Sequence, residues 1–391
     1  MITTLLLAIT AAGAPSPAGP WRAALDLAGG TLRFSLQLEA EASGWKGRLC
    51  NGPACQPLSL VRVAGDSVRL EMGDYAATIE AQWHGDSLIG FYHNVGNHGP
   101  RVIPFRAARG RWPTVQAPPG LIGQWDATWL TDWSTSPRIL EFRQGTDGLE
   151  GTVISNSGDY GLFAGSIEGD SISLAHFDGS FVYLLTFRQS GDTLRGTFPA
   201  GLRGETRWIA TRSTGLPHLT PPTEVTKAPA DVPFTFAFPD LEGRTVTNLD
   251  PRFTGKVVIV DLFGTWCPTC QDQAPMLVSF YETYRDSGLA VVGLAYEVSG
   301  DTSIDAPLVR RYRDKYGITF PLLLAGRNVP ESQAETQPQL EGFTAFPTTL
   351  LIDRQGLVRR IYAGFYGPAT GERHEALVRE IRAELEELMR D

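Results

Sequence analysis

The sequence predicts a multidomain chain: an N-terminal all-β antiparallel region built as a tandem repeat, barrel or sandwich, followed by an α/β domain. Three observations carry this. Short runs of alternating apolar residues fill roughly the first half, as in "TLRFSLQLE", where Leu32, Phe34, Leu36 and Leu38 share one face. Markers within that region recur at one offset. Beyond about residue 232 the alternation gives way to continuous apolar strands, "VVIVDLF", "LAVVGLAY" and "TTLLID", separated by helical stretches.

Residues 1–18 read as an export signal, an apolar run from Leu5 to Ile9 followed by Ala12, Gly13 and Ala14, although no Lys or Arg precedes the run. Residues 19–112 form the first β-unit and 119–213 the second. Gly65-Asp66-Ser67 and Gly85-Asp86-Ser87 recur as Gly169-Asp170-Ser171 and Gly191-Asp192-Thr193, and Gly44 and Gly47 recur as Gly148 and Gly151, at a shift of roughly 104 to 106 positions. The Gly-Asp pairs need no function, because tight hairpins require positive φ. Gly300-Asp301-Thr302 falls outside this pattern and is taken as coincidence. Residues 214–232, rich in Pro and Thr, are expected to be an extended, exposed linker. Residues 233–391 form the α/β domain, with helices expected at 272–285, 306–316 and 371–389. The last carries Leu377, Ile381, Leu385 and Leu388 along one stripe.

The chain's 391 residues suffice for several cores, and a net charge of −9 without a basic block argues against nucleic acid or an anionic membrane as partner. The β-region shows no His, Cys or carboxylate cluster at ligand spacing, and its Trp residues read as core. Four cysteines stand as two close pairs, Cys50 with Cys55 and Cys267 with Cys270, too few for a disulfide scaffold. The turn residues Asn51-Gly52-Pro53 favour a small structural disulfide between Cys50 and Cys55 over a second redox site or free thiols.

The densest chemistry lies in "VVIVDLFGTWCPTC". Cys267 and Cys270 sit where a strand ends and a helix begins, where free backbone N–H groups and the helix dipole stabilise a thiolate. Pro268 suits the first helical turn. Cys267 is the expected nucleophile and Cys270 the resolving thiol. A zinc site lacks a second ligand pair, an inert disulfide leaves the Trp and Pro surplus, and a peroxidase lacks its lone-cysteine pattern. Asp261, in mid-strand, is expensive to bury, and is expected to lie beneath Cys270 and move that thiol's proton.

These residues, with Pro275 and "FPTTLLIDRQGLVRRIYAG", resemble the thioredoxin fold, and more narrowly the TlpA/ResA-type protein disulfide reductases, over residues 233–391. The resemblance implies that Pro347 is a cis-proline facing the dithiol, and that Trp266, Pro268 and Phe346 contact substrate, with Trp266 shielding the sulfurs. Pro275 would be structural and kink the active-site helix. It implies an exported protein disulfide reductase, soluble after signal removal, in the periplasm or cell envelope. Clients would be disulfide-containing proteins and the electron donor a membrane thiol protein. No metal is implied, and no cofactor beyond the Cys267–Cys270 redox disulfide. The chain departs from the group in having Gln273 where many members carry Glu, and Asp261 where Asn is common. Asp261 therefore becomes the leading, and only expected, carboxylate base near the site. Residues 326–340 resemble the group's insertion near the active-site face, "GFYGPATGE" reads as a loop and helix cap, and Glu297 is a candidate for the site edge. The alternative is a redox-sensing binding protein whose β-region recognises a partner or envelope component.

Overall fold

A computed structural model describes residues 16–390 apart from 76, 97–98, 132–133, 200–204 and 216–217. Most of the expected signal, residues 1–15, lies outside the described residues.

Two similar β-units come first. In each, eight antiparallel strands close into a ring and a ninth, short strand hairpins onto one of them. The strands of the first unit span residues 19–109 and those of the second 123–212. Alternation explains the closure: along Gly30–Glu41, Leu32, Phe34, Leu36 and Leu38 are buried while their neighbours stay at the surface. The turn glycines Gly65, Gly85, Gly169 and Gly191 all lie at φ between 58 and 60°, where a side chain would strain the backbone. Trp21 and Trp125, at the repeat offset, fill the two cores, and each indole N–H donates to the carbonyl four residues earlier, Pro17 and Leu121. The remaining buried indoles, Trp129 and Trp208, stack in the second core.

The ninth strands occupy equivalent places. In the first unit, Gly44–Asn51 pairs with Ala54–Pro57, and Cys50 and Cys55 face each other and are disulfide-bonded, Cα atoms 4.1 Å apart. In the second, Gly148–Ser155 pairs with Gly158–Asp159.

The linker is neither wholly extended nor wholly exposed. It contains a helical turn, Pro222–Val225, Thr226 is buried, and Lys227 exchanges backbone hydrogen bonds with Glu341. The polar composition suggested an open tether; pairing with the following domain satisfies the backbone instead.

In the α/β domain, elements are numbered from its central sheet: β1 (Val257–Phe263), α1 (Pro268–Tyr284), β2 (Leu289–Glu297), α2 (Thr302–Tyr316), β3 (Leu322–Arg327), α3 (Pro330–Thr336), β4 (Thr348–Ile352), β5 (Val358–Ala363) and α4 (Glu372–Arg390). The sheet runs β3-β2-β1-β4-β5, with β1, β2 and β3 parallel and β4 and β5 antiparallel to their neighbours. Every residue of β1 is buried, which is why that strand reads as one apolar run. α1 and α2 begin four residues earlier than the apolar pattern suggested, because Cys267 and Asp301 act as N-caps. Gly300-Asp301 thus has a role of its own, capping α2. The segment resembling the family insertion folds into α3. Leu377, Ile381 and Leu385 of α4 are buried in the domain core.

Candidate active site

The chain leaves β1 through Gly264 and Thr265 and enters α1 at Cys267. Gly264 is required here: a Cβ would come within 2.2 Å of the Trp266 indole and 2.8 Å of the Tyr296 carbonyl. The packing fixes Trp266, whose indole N–H donates to that carbonyl (2.7 Å) and whose ring meets Phe346 edge-on at 5.6 Å. Glu297, at the end of β2, accepts from the Thr265 backbone N–H (2.8 Å) and hydroxyl (2.7 Å), pinning the turn from below. It is buried rather than at an exposed strand end, and desolvation pushes its carboxyl up to about 7.

Cys267 and Cys270 are joined as a disulfide, Cα atoms 5.3 Å apart, and both are almost wholly buried. The Cys270 backbone N–H points at the Cys267 sulfur (3.2 Å), an orphan donor of the helix N-terminus aimed where a thiolate would form. The Thr269 hydroxyl lies 3.3 Å from the same sulfur. Pro268 occupies the first turn of α1, where it removes no helical hydrogen bond. Pro275 lies inside α1 at an exposed position; having no N–H, it leaves the Gln271 carbonyl without its helical donor. The Phe346–Pro347 bond is cis, and the Phe346 carbonyl stands 3.6 Å from the Cys267 sulfur and 3.4 Å from the Thr269 hydroxyl. Tyr296, Phe343 and Phe346 pack as an aromatic wall beside Trp266. The structure thus brings together Cys267, Cys270, Trp266, Pro268, Phe346 and Pro347. Cys50 and Cys55 belong to the first β-unit and are not part of this constellation.

Asp261 is 4% exposed in mid-β1, opposite Thr349 of β4. Its Oδ1 has no hydrogen-bond partner, and burial pushes the carboxyl up to about 8. Gln273 comes to the same place from α1: its amide donates to the Thr349 hydroxyl (2.5 Å) and its Oε1 is likewise buried without a partner. A protonated Asp261 fits this apolar, amide-lined position better than a carboxylate does.

The expectation that Asp261 is the only carboxylate near the site does not hold. Tyr312 of α2 donates to the Cys270 carbonyl (3.0 Å); burial first, and then the nearby Asp261, Tyr316, Glu297 and Asp272, drive its ionisation well above the usual range. Asp272, two residues past Cys270, was missed. It keeps a solvent-facing edge, yet burial, then the negative charges of Asp159 and Asp178, push it up to about 8, against the opposing pull of Lys315. Asp159 and Asp178 come from the second β-unit. With His176 they form a polar group that residue spacing could not reveal, because the fold assembles it from separate strands.

Comparison with known proteins matches the Redoxin family model to residues 226–376. The thiol-disulfide oxidoreductase ResA of Geobacillus thermodenitrificans (strain NG80-2) is 31% identical over 129 residues, 33% of this chain and 66% of that protein, just under two thirds of its length. The ResA of Geobacillus kaustophilus (strain HTA426) is 30% identical over 139 residues, 36% of this chain and 71% of the relative. A crystal structure of a thiol:disulfide interchange protein, thioredoxin family protein, from Chlorobium tepidum TLS is 27% identical and covers 39% of this chain and 97% of its own, with a TM-score of 0.29. Each match leaves more than half of this chain without a counterpart.

Proposed function

Because the chain belongs, through its C-terminal domain, to the Redoxin family, we propose that it is an exported thiol-disulfide oxidoreductase that reduces disulfides of other exported proteins. The observation that carries this reading is the Cys267 sulfur at the N-cap of α1, receiving the Cys270 N–H and facing the Phe346 carbonyl beside cis-Pro347. In the reduced form, the Cys267 thiolate attacks one sulfur of a client disulfide. One client sulfur leaves as a thiolate and the other is held in a mixed disulfide with Cys267. Cys270 then loses its proton and attacks the Cys267 sulfur, so the client departs with two thiols and the Cys267–Cys270 disulfide re-forms. Two electrons have passed to the client, and a thiol donor returns them. The ionised fraction of Asp261 takes the Cys270 proton as that disulfide forms, and the acid returns it on reduction; a carboxyl pushed up to about 8 by burial can both hold and release a proton near neutral pH. Trp266, Pro268 and Phe346 line the sulfur pair for client contact. No cofactor or metal takes part.

Placement in the periplasm or cell envelope, with residues 1–18 as the signal and a membrane thiol protein as donor, belongs to the same proposal. Among the described residues no helix is long and apolar enough to cross a membrane. Dithiothreitol-driven insulin reduction by the full chain tests the activity: turnover that disappears in Cys267→Ser supports it, and equal rates with and without the chain refute it.

A further inference from the structure

Between the second β-unit and the α/β domain lies a contact that the proposed chemistry does not use. Gly158 forms a parallel bridge with Phe365, just past β5, and Asp159 Oδ1 accepts the Gly367 backbone N–H. The approach is backbone on backbone. A Cβ on Gly158 would lie 2.3 Å from the Phe365 carbonyl oxygen, and one on Gly364 would lie 2.5 Å from the Ser157 carbonyl carbon. This ledge adjoins the dithiol. The same position on Gly158 is 3.1 Å from the Thr269 methyl, Thr269 touches the Cys267 sulfur, and the Gly364 N–H donates to the Pro347 carbonyl (2.7 Å). Cys267 retains 3% exposure beneath it.

We propose that the hairpin of residues 155–161 in the second β-unit is a specificity-determining cap: it occupies the ledge beside Thr269 and Phe365 where a protein client must lie, and it opens to admit one. The inference rests on the dithiol reading above. Asp159 is the latch. It is fully buried, takes the Gly161 and Gly367 N–H groups, and faces Asp272 across Gly367, both carboxyls having an oxygen within 3.0 Å of where a Gly367 Cβ would sit. The other titratable or charged groups around the pair are Asp178 and His176 of the second β-unit, Tyr312 and Lys315 of α2, and Tyr366 with Arg373 beside it. Two carboxyls so placed are compatible only while at least one keeps its proton. The closed form binds that proton more tightly than the open form, so closure is favoured at low pH and weakens as pH rises toward the range in which Asp272 ionises, about 8. Around the rim, Arg373 pairs with Glu141 (2.9 Å) and Arg143 donates to the Ala369 carbonyl (2.9 Å).

The repeat shows what is special about this hairpin. Its counterpart in the first unit also docks on the next domain, Asn51 exchanging two 2.9 Å hydrogen bonds with the Phe177 backbone, but that hairpin is stapled by Cys50 and Cys55. At the repeat offset of 104 the second unit has Ile154 and Asp159, cross-strand partners just as Cys50 and Cys55 are, so the hairpin over the dithiol carries no staple.

The test uses the full chain, reduced and desalted, and compares its rates with insulin and with a small aromatic disulfide. Gly158→Ala wedges the hairpin off Phe365 and should raise the insulin rate about tenfold, the equivalent of one pK unit of contact free energy, while the small disulfide changes less than about twofold. In the native chain the ratio of the two rates, which cancels thiolate content, should rise from pH 6 to pH 9 and become flat in the Asp159→Asn, Asp272→Asn double variant, which removes both the carboxyl pair and the buried acid. Equal changes with both substrates in Gly158→Ala, or a pH-independent ratio in the native chain, overturn the cap and leave the dithiol reading intact. Failure to react with either disulfide overturns both. Should the variants not fold, amide exchange at Gly367 of the native chain decides: protection, corrected for intrinsic rate, must fall across the same pH range, and constant protection overturns the cap.

Discussion

Replacing Asp261 with asparagine tests whether this strand buries a neutral acid. The carboxyl moves from its ordinary value of 3.8 to about 8 on folding, with desolvation as the cause. Between those values the native state holds a proton that the unfolded state has released, so the group's contribution to stability declines as pH rises through this window. At pH 7 the gap of roughly three units corresponds to about 4 kcal/mol, at 1.36 kcal/mol per unit, an upper bound because the surroundings relax around a charge. Asparagine has the shape of the protonated acid and no charge to desolvate. Asp261→Asn should therefore match the parent near pH 4 and exceed its stability by up to about 4 kcal/mol at pH 7, a large share of a domain's total. Urea unfolding of the full chain, followed by the far-UV signal of α1 to α4 at pH 4, 5.5 and 7, measures the difference. The same variant should resolve mixed disulfides about a hundredfold more slowly, having lost its proton acceptor. A stability difference that does not change with pH would refute the reasoning, since it would mean that Asp261 titrates alike in both states.

Three other outcomes follow from the same packing. Gly264→Ala forces the Trp266 ring from its seat against Tyr296 and should cost about 1 to 3 kcal/mol with a shift in indole fluorescence; unchanged emission would contradict the packing. Glu297→Ala strands the buried Thr265 N–H and hydroxyl, lowering stability by about 2 to 3 kcal/mol in thermal unfolding. Replacing Cys50 and Cys55 together by serine opens a short loop and should cost about 2 kcal/mol, while leaving reaction of Cys267 with a small disulfide unchanged.

The parts of the fold set by local pattern were readable in the residues. Alternation in the β-units, a fully buried β1 and the Gly-Asp turns each follow from periodicity or from backbone conformation at one position. Cys267 and Cys270 were readable because their chemistry needs two sulfurs at a strand-to-helix junction. Asp272 was not, since on α1 alone it reads as a solvent-facing residue; only packing against the second β-unit, which buries it and brings Asp159 and Asp178 from two separate hairpins, makes it a buried acid. The linker failed for the same reason: its composition describes a free chain, and the cross-domain pairing of Lys227 with Glu341 has no local signature. Long-range assembly, rather than misread propensity, accounts for both differences.

Trapping with Cys270→Ala measures the central claim most directly, because without the resolving thiol a client captured by Cys267 cannot be released. Expressed in its native cell, this full-chain variant should accumulate mixed disulfides through Cys267 that dissolve on reduction and are absent from the Cys267→Ser, Cys270→Ala double variant. Finding the same adducts in the double variant, or none in either, would contradict the account.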